Sequence, residues 1–126
     1  MERTRVLIVD DNADLRASLK QLLELLGYEV ETARDGAAAL KAQRERRAAV
    51  VITDLFMAGV EGMETIARFK ADWPQVRVIA MSGGGEHARG SYLPAALHVG
   101  ADAILQKPFT VRTLLGALAA KEASDQ

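Results

Sequence analysis

The sequence predicts an α/β fold, in which five β-strand–helix units form a doubly wound parallel sheet with strand order 2-1-3-4-5. Short apolar runs alternate with segments whose apolar residues recur at helical spacing, and this alternation predicts the βα units. Most of the runs are continuously apolar, which is typical of central parallel strands. The second run alternates between apolar and polar residues, as an edge strand does, and this strand order requires strand two at an edge.

The first units follow from periodicity and from one glycine. An apolar strand is expected at Arg5–Val9, and leucines spaced by three and four over residues 15–26 predict a helix that Gly27 ends. Residues 28–32 alternate and predict the edge strand. Residues 36–47 are rich in Ala and Arg and predict the second helix.

The rest of the chain repeats the alternation. Thr110 is expected to cap the last helix, because a threonine oxygen can accept a hydrogen bond from an amide of the first turn. The remaining predicted elements are strands at 49–53, 76–81 and 102–105 and helices at 60–71, 91–99 and 110–120.

Composition narrows the class of protein. The chain has 126 residues, 49% of them hydrophobic and 26% charged, with a formal net charge of −1 and no cysteine. These values predict one globular domain, at residues 1–121 with a polar tail at 122–126, and exclude disulfides and thiolate metal sites. We expect a cytoplasmic protein that binds neither nucleic acid directly nor a membrane, because there is no strong net charge, signal peptide or apolar run of roughly 20 residues.

Acidic residues follow two strands that the predicted order makes neighbours. Asp10 and Asp11 follow the first strand, and Asp54 follows the third. Taken singly, Asp11 could belong to a helix cap with Asn12, and Asp54 could be an ordinary loop acid. Three converging carboxylates are harder to explain, because two like charges about 4 Å apart repel by roughly 4 kcal/mol at an effective dielectric of 20. Oxygen ligands alone favour Mg²⁺ and chemistry on a phosphoryl group.

Two more strand ends supply groups that suit a phosphoryl group. Ser82 follows the fourth strand and Lys107 the fifth, so a hydroxyl and an ammonium face the acids. Alone, Ser82 would be interpreted as a turn residue and Lys107 as a surface lysine. Pro108 restricts the backbone of Lys107 and is a candidate for a cis peptide bond.

The stretches VLIVDDN, VVITDLFMAGVEGME, VIAMSGG and GADAILQKPF together resemble the receiver domain of bacterial two-component response regulators. The resemblance implies the flavodoxin-like fold and a phosphoacceptor switch that is not an enzyme. It implies that Asp54 takes a phosphoryl group from a sensor histidine kinase or a histidine phosphotransfer protein and that the domain then controls a downstream protein target. Mg²⁺ would be held by Asp10, Asp11, Asp54 and the backbone carbonyl of Phe56, with Ser82 and Lys107 as the switch hydroxyl and the lysine of that family.

The chain departs from the family pattern at the output face. Ile104 stands where the family usually has a switch aromatic, and Ala58 replaces a proline, although Gly62 remains where a turn is expected. An aliphatic side chain cannot rotate as a ring does. We therefore expect phosphorylation to order the loop that begins at Gly83.

Three other functions remain open at this point. An aspartate-based phosphohydrolase needs a second acid two residues after the nucleophile, where this chain has Phe56. A flavin-binding electron carrier of the same fold needs a phosphate loop after the first strand, where Asp10 and Asp11 would repel a phosphate. A degenerate receiver, used only for docking, usually lacks an acid or the lysine, and this chain has all of them.

Overall fold

A computed structural model of the chain describes residues 3–55, 61–82 and 92–124. The strands are β1 (Arg5–Val9), β2 (Glu29–Ala33), β3 (Val50–Asp54), β4 (Arg77–Ser82) and β5 (Ala103–Gln106). The helices are α1 (Ala13–Leu25), α2 (Gly36–Glu45), α3 (Glu61–Asp72), α4 (Tyr92–His98) and α5 (Val111–Ser124).

The strands form one parallel sheet in the order β2-β1-β3-β4-β5, which confirms the predicted flavodoxin-like fold. Every residue of β3 and β4 is buried, as continuous apolar strands in the middle of a sheet require. One hydrophobic core lies on each face of the sheet: Phe69 and Ile66 of α3 pack in the first, and Leu19, Leu23 and Leu114 pack in the second. Within the described ranges, no helix has the length and apolar character that crossing a membrane requires.

Four of the strands begin and end one residue later than the sequence predicts, whereas β1 has the predicted bounds. The reason is backbone pairing: Asp54 pairs with Met81, and Ser82 pairs with Gln106, so these polar residues still belong to the ladder. Consequently Asp54 and Ser82 are the last residues of their strands. Their backbones therefore take part in the pairing of the sheet.

The residues predicted at the two ends of α1, Asn12 and Gly27, lie at those ends in the structure. The Asn12 side chain accepts a hydrogen bond from the amide of Leu15, and Gly27 has a φ of 102° while the Tyr28 amide closes back on the Leu23 carbonyl. Tyr28 therefore belongs to the turn that closes α1 after Leu25, and β2 begins at Glu29. The predicted C-termini of α1, α3 and α4 differ from the observed ones by one residue. The prediction was further off at the other two, because α2 ends at Glu45 and α5 continues to Ser124.

Charged side chains tie the edge strand to its neighbour. Arg5 of β1 forms ion pairs with Glu29 and Glu31 of β2, and Arg46 beyond α2 pairs with Glu29 at 2.7 Å. Charges on an edge strand also discourage pairing with another chain. The alternation that predicted an edge position therefore reflects these partly buried acids, which alternate with the buried Val30 and Ala33.

Candidate functional site

Parallel pairing brings four functional side chains to one edge of the sheet. Val9 lies opposite Thr53, so Asp10 and Asp54 follow at adjacent positions. On the other side of β3, the backbone amide of Lys107 donates to the carbonyl of Ser82 at 2.7 Å, which joins the ends of β4 and β5. The candidate site therefore lies at the carboxyl ends of β1, β3, β4 and β5, beyond which open α/β sheets bind their ligands.

Three carboxylates form the centre of this site. One oxygen from each of Asp10, Asp11 and Asp54 lies within 4.8 Å of the other two. Asp10 and Asp54 are buried, at 0% and 6% exposure, whereas Asp11 is exposed. The acidic group is therefore open to solvent on the Asp11 side and enclosed by the sheet on the other.

Lys107 supplies a positive charge beside the two buried acids. Its ammonium nitrogen lies 3.0 Å from Oδ2 of Asp10 and 3.5 Å from Oδ2 of Asp54. The ammonium donates a hydrogen bond to Asp10 and forms an ion pair with Asp54, and its charge offsets part of the repulsion between the carboxylates. The Lys107–Pro108 peptide bond is cis.

Further contacts hold Asp10 in place. Its Oδ1 accepts a hydrogen bond from the Asn12 amide at 2.8 Å, and its own amide donates to the Ala33 carbonyl at 3.1 Å. Its carbonyl oxygen accepts from Nη1 of Arg16 at 2.7 Å. Sequence reasoning missed Arg16, and the only available signal was an arginine one turn into the helix that follows the acids.

Gly62 has a different role from the one predicted. It lies inside α3 and not at a turn, and a Cβ atom there would meet the carbonyl oxygens of Leu55 at 2.5 Å and Asp54 at 2.6 Å. Backbone atoms cannot move aside as a flexible side chain does. The glycine is therefore required because the first turn of α3 packs directly on the backbone of the candidate phosphoacceptor.

Of the other predicted site residues, Ser82 and Ile104 lie within the described ranges. Ser82 is fully buried at the end of β4, and Ile104 is partly buried and packs against the core that contains Phe69. Phe56, predicted to offer its carbonyl to the metal, and Gly83, predicted to begin the switching loop, both lie outside the described residues.

The carboxylate geometry suits a magnesium ion. Ligand oxygens bound to one Mg²⁺ at about 2.0–2.1 Å are separated by about 3–4 Å. The Asp10, Asp11 and Asp54 oxygens lie within 4.8 Å of one another, so they need to close by no more than about 2 Å. All three donors are oxygens, which Mg²⁺ prefers over softer ligands. The exposed side of the group leaves room for the waters that this ion retains.

Comparison with known proteins gives the family. The family model of the response regulator receiver domain matches residues 6–119. The chain belongs to this family. Receiver domains act in two-component systems as signalling switches, which favours this function over the phosphohydrolase and the flavin carrier considered from the sequence.

Individual relatives agree with the family assignment. The transcriptional regulatory protein PrrA of Mycobacterium tuberculosis is 39% identical over 113 residues, a match that covers 88% of this chain and 46% of PrrA. The response regulator MprA of Mycobacterium sp. (strain KMS) is 33% identical over 118 residues, covering 92% of this chain and 49% of MprA. The chain therefore spans about half the length of these relatives.

A solved structure shows the same architecture over a whole chain. The chemotaxis protein CheY4 of Vibrio cholerae superposes with a TM-score of 0.85 at 30% identity, covering 94% of this receiver and 98% of CheY4. The receiver of NtrX from Brucella abortus has a TM-score of 0.82 at 29% identity, covering 96% and 98% of the two chains. Both agree with the strand order described above.

Proposed function

We propose that this receiver is a phosphoacceptor switch in which Asp54 takes a phosphoryl group from a sensor histidine kinase or a histidine phosphotransfer protein. The observation that carries the proposal is the position of Asp54. Its carboxylate ends a central strand, shares the acidic group with Asp10 and Asp11, and lies 3.5 Å from the Lys107 ammonium. A carboxylate in this environment can be presented to an anionic phosphoryl group without unopposed repulsion.

The transfer step exchanges one phosphorus bond for another. An Asp54 carboxylate oxygen attacks the phosphorus of the donor phosphohistidine, so that an oxygen–phosphorus bond forms as the nitrogen–phosphorus bond breaks. The departing imidazole nitrogen keeps the electron pair and takes a proton from solvent. The product is an acyl phosphate, and its hydrolysis by water returns the carboxylate and inorganic phosphate.

The surrounding residues then stabilise the transferred group. Lys107 releases part of its contact with Asp54 and pairs with a phosphoryl oxygen, while it remains anchored to Asp10. The Ser82 hydroxyl donates to a second phosphoryl oxygen from the end of β4. Bound Mg²⁺, held by Asp10, Asp11, Asp54 and the Phe56 carbonyl, would supply the positive charge that the acidic group and the phosphoryl oxygens share.

Signal output rests on the movement of the β4 end. When Ser82 engages the phosphoryl group, the segment from Gly83 follows, and the face formed by α4, β5 and α5 changes for a downstream protein target in the cytoplasm. Ile104 lies on this face without a ring that could rotate, so we propose that the loop itself carries the change. Because this chain spans about half of PrrA and MprA, binding to nucleic acid by the whole protein is not part of the proposal.

Intact-mass measurement after incubation with acetyl phosphate and MgCl₂ tests the proposal. The wild-type protein is expected to gain the mass of one phosphoryl group, and Asp54→Asn is expected to gain none, because an amide is not a competent nucleophile. Omission of MgCl₂ should reduce the phosphorylated fraction strongly. The Asp54→Asn protein keeps the shape of the side chain and so controls for folding.

Two results would contradict the proposal. Equal phosphorylation of wild type and Asp54→Asn would place the acceptor elsewhere. Steady turnover of a generic phosphomonoester, with no phosphoprotein accumulating, would instead identify a phosphohydrolase.

A further inference from the structure

Arg16 contacts the backbone at Asp10, although the proposed function assigns no role to this arginine. Arg16 lies in the first half of α1, and its Nη1 donates to the carbonyl oxygen of Asp10 at 2.7 Å. Its side chain is partly buried, whereas Lys20, one turn further along the same helix, is exposed. Arg16 thus folds back toward the end of β1, and Lys20 remains in solvent.

The carbonyl that Arg16 holds belongs to the peptide group between Asp10 and Asp11. The Asp10 side chain is fixed on its own account, by Lys107 at Oδ2 and by the Asn12 amide at Oδ1. The Asp11 side chain is exposed and, among the described residues, has no hydrogen bond or ion pair. The direction of the Asp11 carboxylate therefore depends on how its backbone is oriented.

We propose that Arg16 is a positioning residue that clamps the Asp10–Asp11 peptide and so keeps the Asp11 carboxylate directed toward Asp10 and Asp54. A guanidinium that donates to a carbonyl oxygen forms a charge-assisted bond, and rotation of this peptide would break it. Outer groups that orient metal ligands in this way commonly change metal affinity by 10-fold to 100-fold when removed. The inference rests on the proposed function, since it assigns Arg16 to the same magnesium site.

Calorimetric titration with MgCl₂ measures the expected effect. Arg16→Met is expected to weaken Mg²⁺ binding about 10-fold or more relative to wild type. Arg16→Lys keeps a cationic donor and is expected to recover part of that loss. Lys20→Met removes the same charge from the same helix at an exposed position, and its affinity is expected to stay within about twofold of wild type.

A second measurement needs no metal. The amide nitrogen of Asp11 belongs to the peptide group that Arg16 holds, so its ¹⁵N chemical shift responds to loss of the hydrogen bond at the Asp10 carbonyl. In magnesium-free protein, Arg16→Met is expected to move the Asp11 amide signal, and Lys20→Met is expected to leave it unchanged. If Arg16→Met fails to fold, the same comparison is made with Arg16→Lys.

The outcomes separate this inference from the proposed function. Magnesium affinity within twofold of wild type in Arg16→Met, or the same loss in Lys20→Met, would overturn the role of Arg16 and leave the phosphoacceptor function standing. An unchanged Asp11 amide in the Arg16 variants would overturn it as well. Absence of Mg²⁺ binding in the wild type would instead refute the magnesium site, and this inference with it.

Discussion

At the scale of single residues, the site is shaped by the need to keep two buried carboxylates side by side. Asp10 and Asp54 are almost inaccessible, and burial disfavours a charged group unless it is paired. Lys107 contacts both acids, and the Asn12 amide adds a further donor to Asp10. Under the proposed function, the same pairs would rearrange around a transferred phosphoryl group.

The close packing of Gly62 leads to a prediction about the end of β3. In Gly62→Ala the new methyl group would meet the Asp54 and Leu55 carbonyl oxygens at 2.6 and 2.5 Å, so the backbone of the strand end must move. We expect the free energy of unfolding, measured by urea denaturation, to fall by about 2 kcal/mol. Phosphorylation of Asp54 by acetyl phosphate is expected to slow, because its backbone is displaced.

Gly116→Ala is the matched control for this substitution. Gly116 also lies inside a helix, but an added Cβ atom there meets nothing within 4 Å. Alanine should therefore stabilise α5 by about 0.5–1 kcal/mol, the ordinary difference in helix propensity. Similar stability changes in both variants would show that close packing at Gly62 is not the cause.

At the scale of elements, β4 connects the site to α5. Ser82 ends this strand at the site, and Arg77 begins it at the other end of the strand. The buried guanidinium of Arg77 donates twice to the Ala117 carbonyl of α5, from Nε at 2.9 Å and Nη2 at 2.7 Å. Of the described side chains of α5, Leu114 and Ala117 are buried and Leu118 packs against the same core, and the polar contact of Arg77 adds to this attachment.

Arg77→Lys tests how α5 is attached. Lysine keeps the charge but cannot direct two donors from a planar fork to one carbonyl oxygen. We expect a loss of about 1–2 kcal/mol in the free energy of unfolding and faster hydrogen exchange of the α5 amides. Arg112→Lys, at an exposed position of α5, should change neither quantity, and unchanged exchange in Arg77→Lys would show that hydrophobic contacts alone hold the helix.

At the scale of the whole molecule, the sheet gathers acids from separate parts of the chain, and the proposed magnesium site would therefore link metal binding to folding. The unfolded chain does not hold Asp10, Asp11 and Asp54 together, so Mg²⁺ should bind the folded state preferentially. Bound Mg²⁺ would also relieve the repulsion among these acids in the folded state. The free energy of unfolding should therefore increase as Mg²⁺ binds.

This linkage predicts a concentration-dependent stabilisation. At a free Mg²⁺ concentration 100 times the Kd, the free energy of unfolding should rise by about 2.7 kcal/mol. Urea denaturation with MgCl₂, compared with NaCl at the same ionic strength, measures this effect apart from general screening. A free energy of unfolding that is the same in both salts would contradict metal binding at the acidic group.

Short stretches of the sequence predict some features of the fold and not others. The apolar runs, the leucine spacing before Gly27 and the alternation of the edge strand predict the five units and their order, because burial on one or both sides leaves a periodic trace in the sequence. The ends of β3 and β4 lie one residue later than the sequence predicts, because Asp54 and Ser82 are polar and yet still pair within the sheet. Polarity marks the end of the buried run and does not mark the end of the hydrogen-bonded ladder.

The sequence by itself determined the fold class, the strand order and which acids, hydroxyl and ammonium stand at strand ends, since all of these follow from periodicity and order along one chain. Only the tertiary structure decided that Lys107 contacts both Asp10 and Asp54, that Gly62 packs on the Asp54 backbone, and that Arg16 and Arg77 hold carbonyl oxygens. These contacts depend on distances and directions between side chains and backbone that come together only when helices pack against the sheet, and residue spacing along the chain does not specify them.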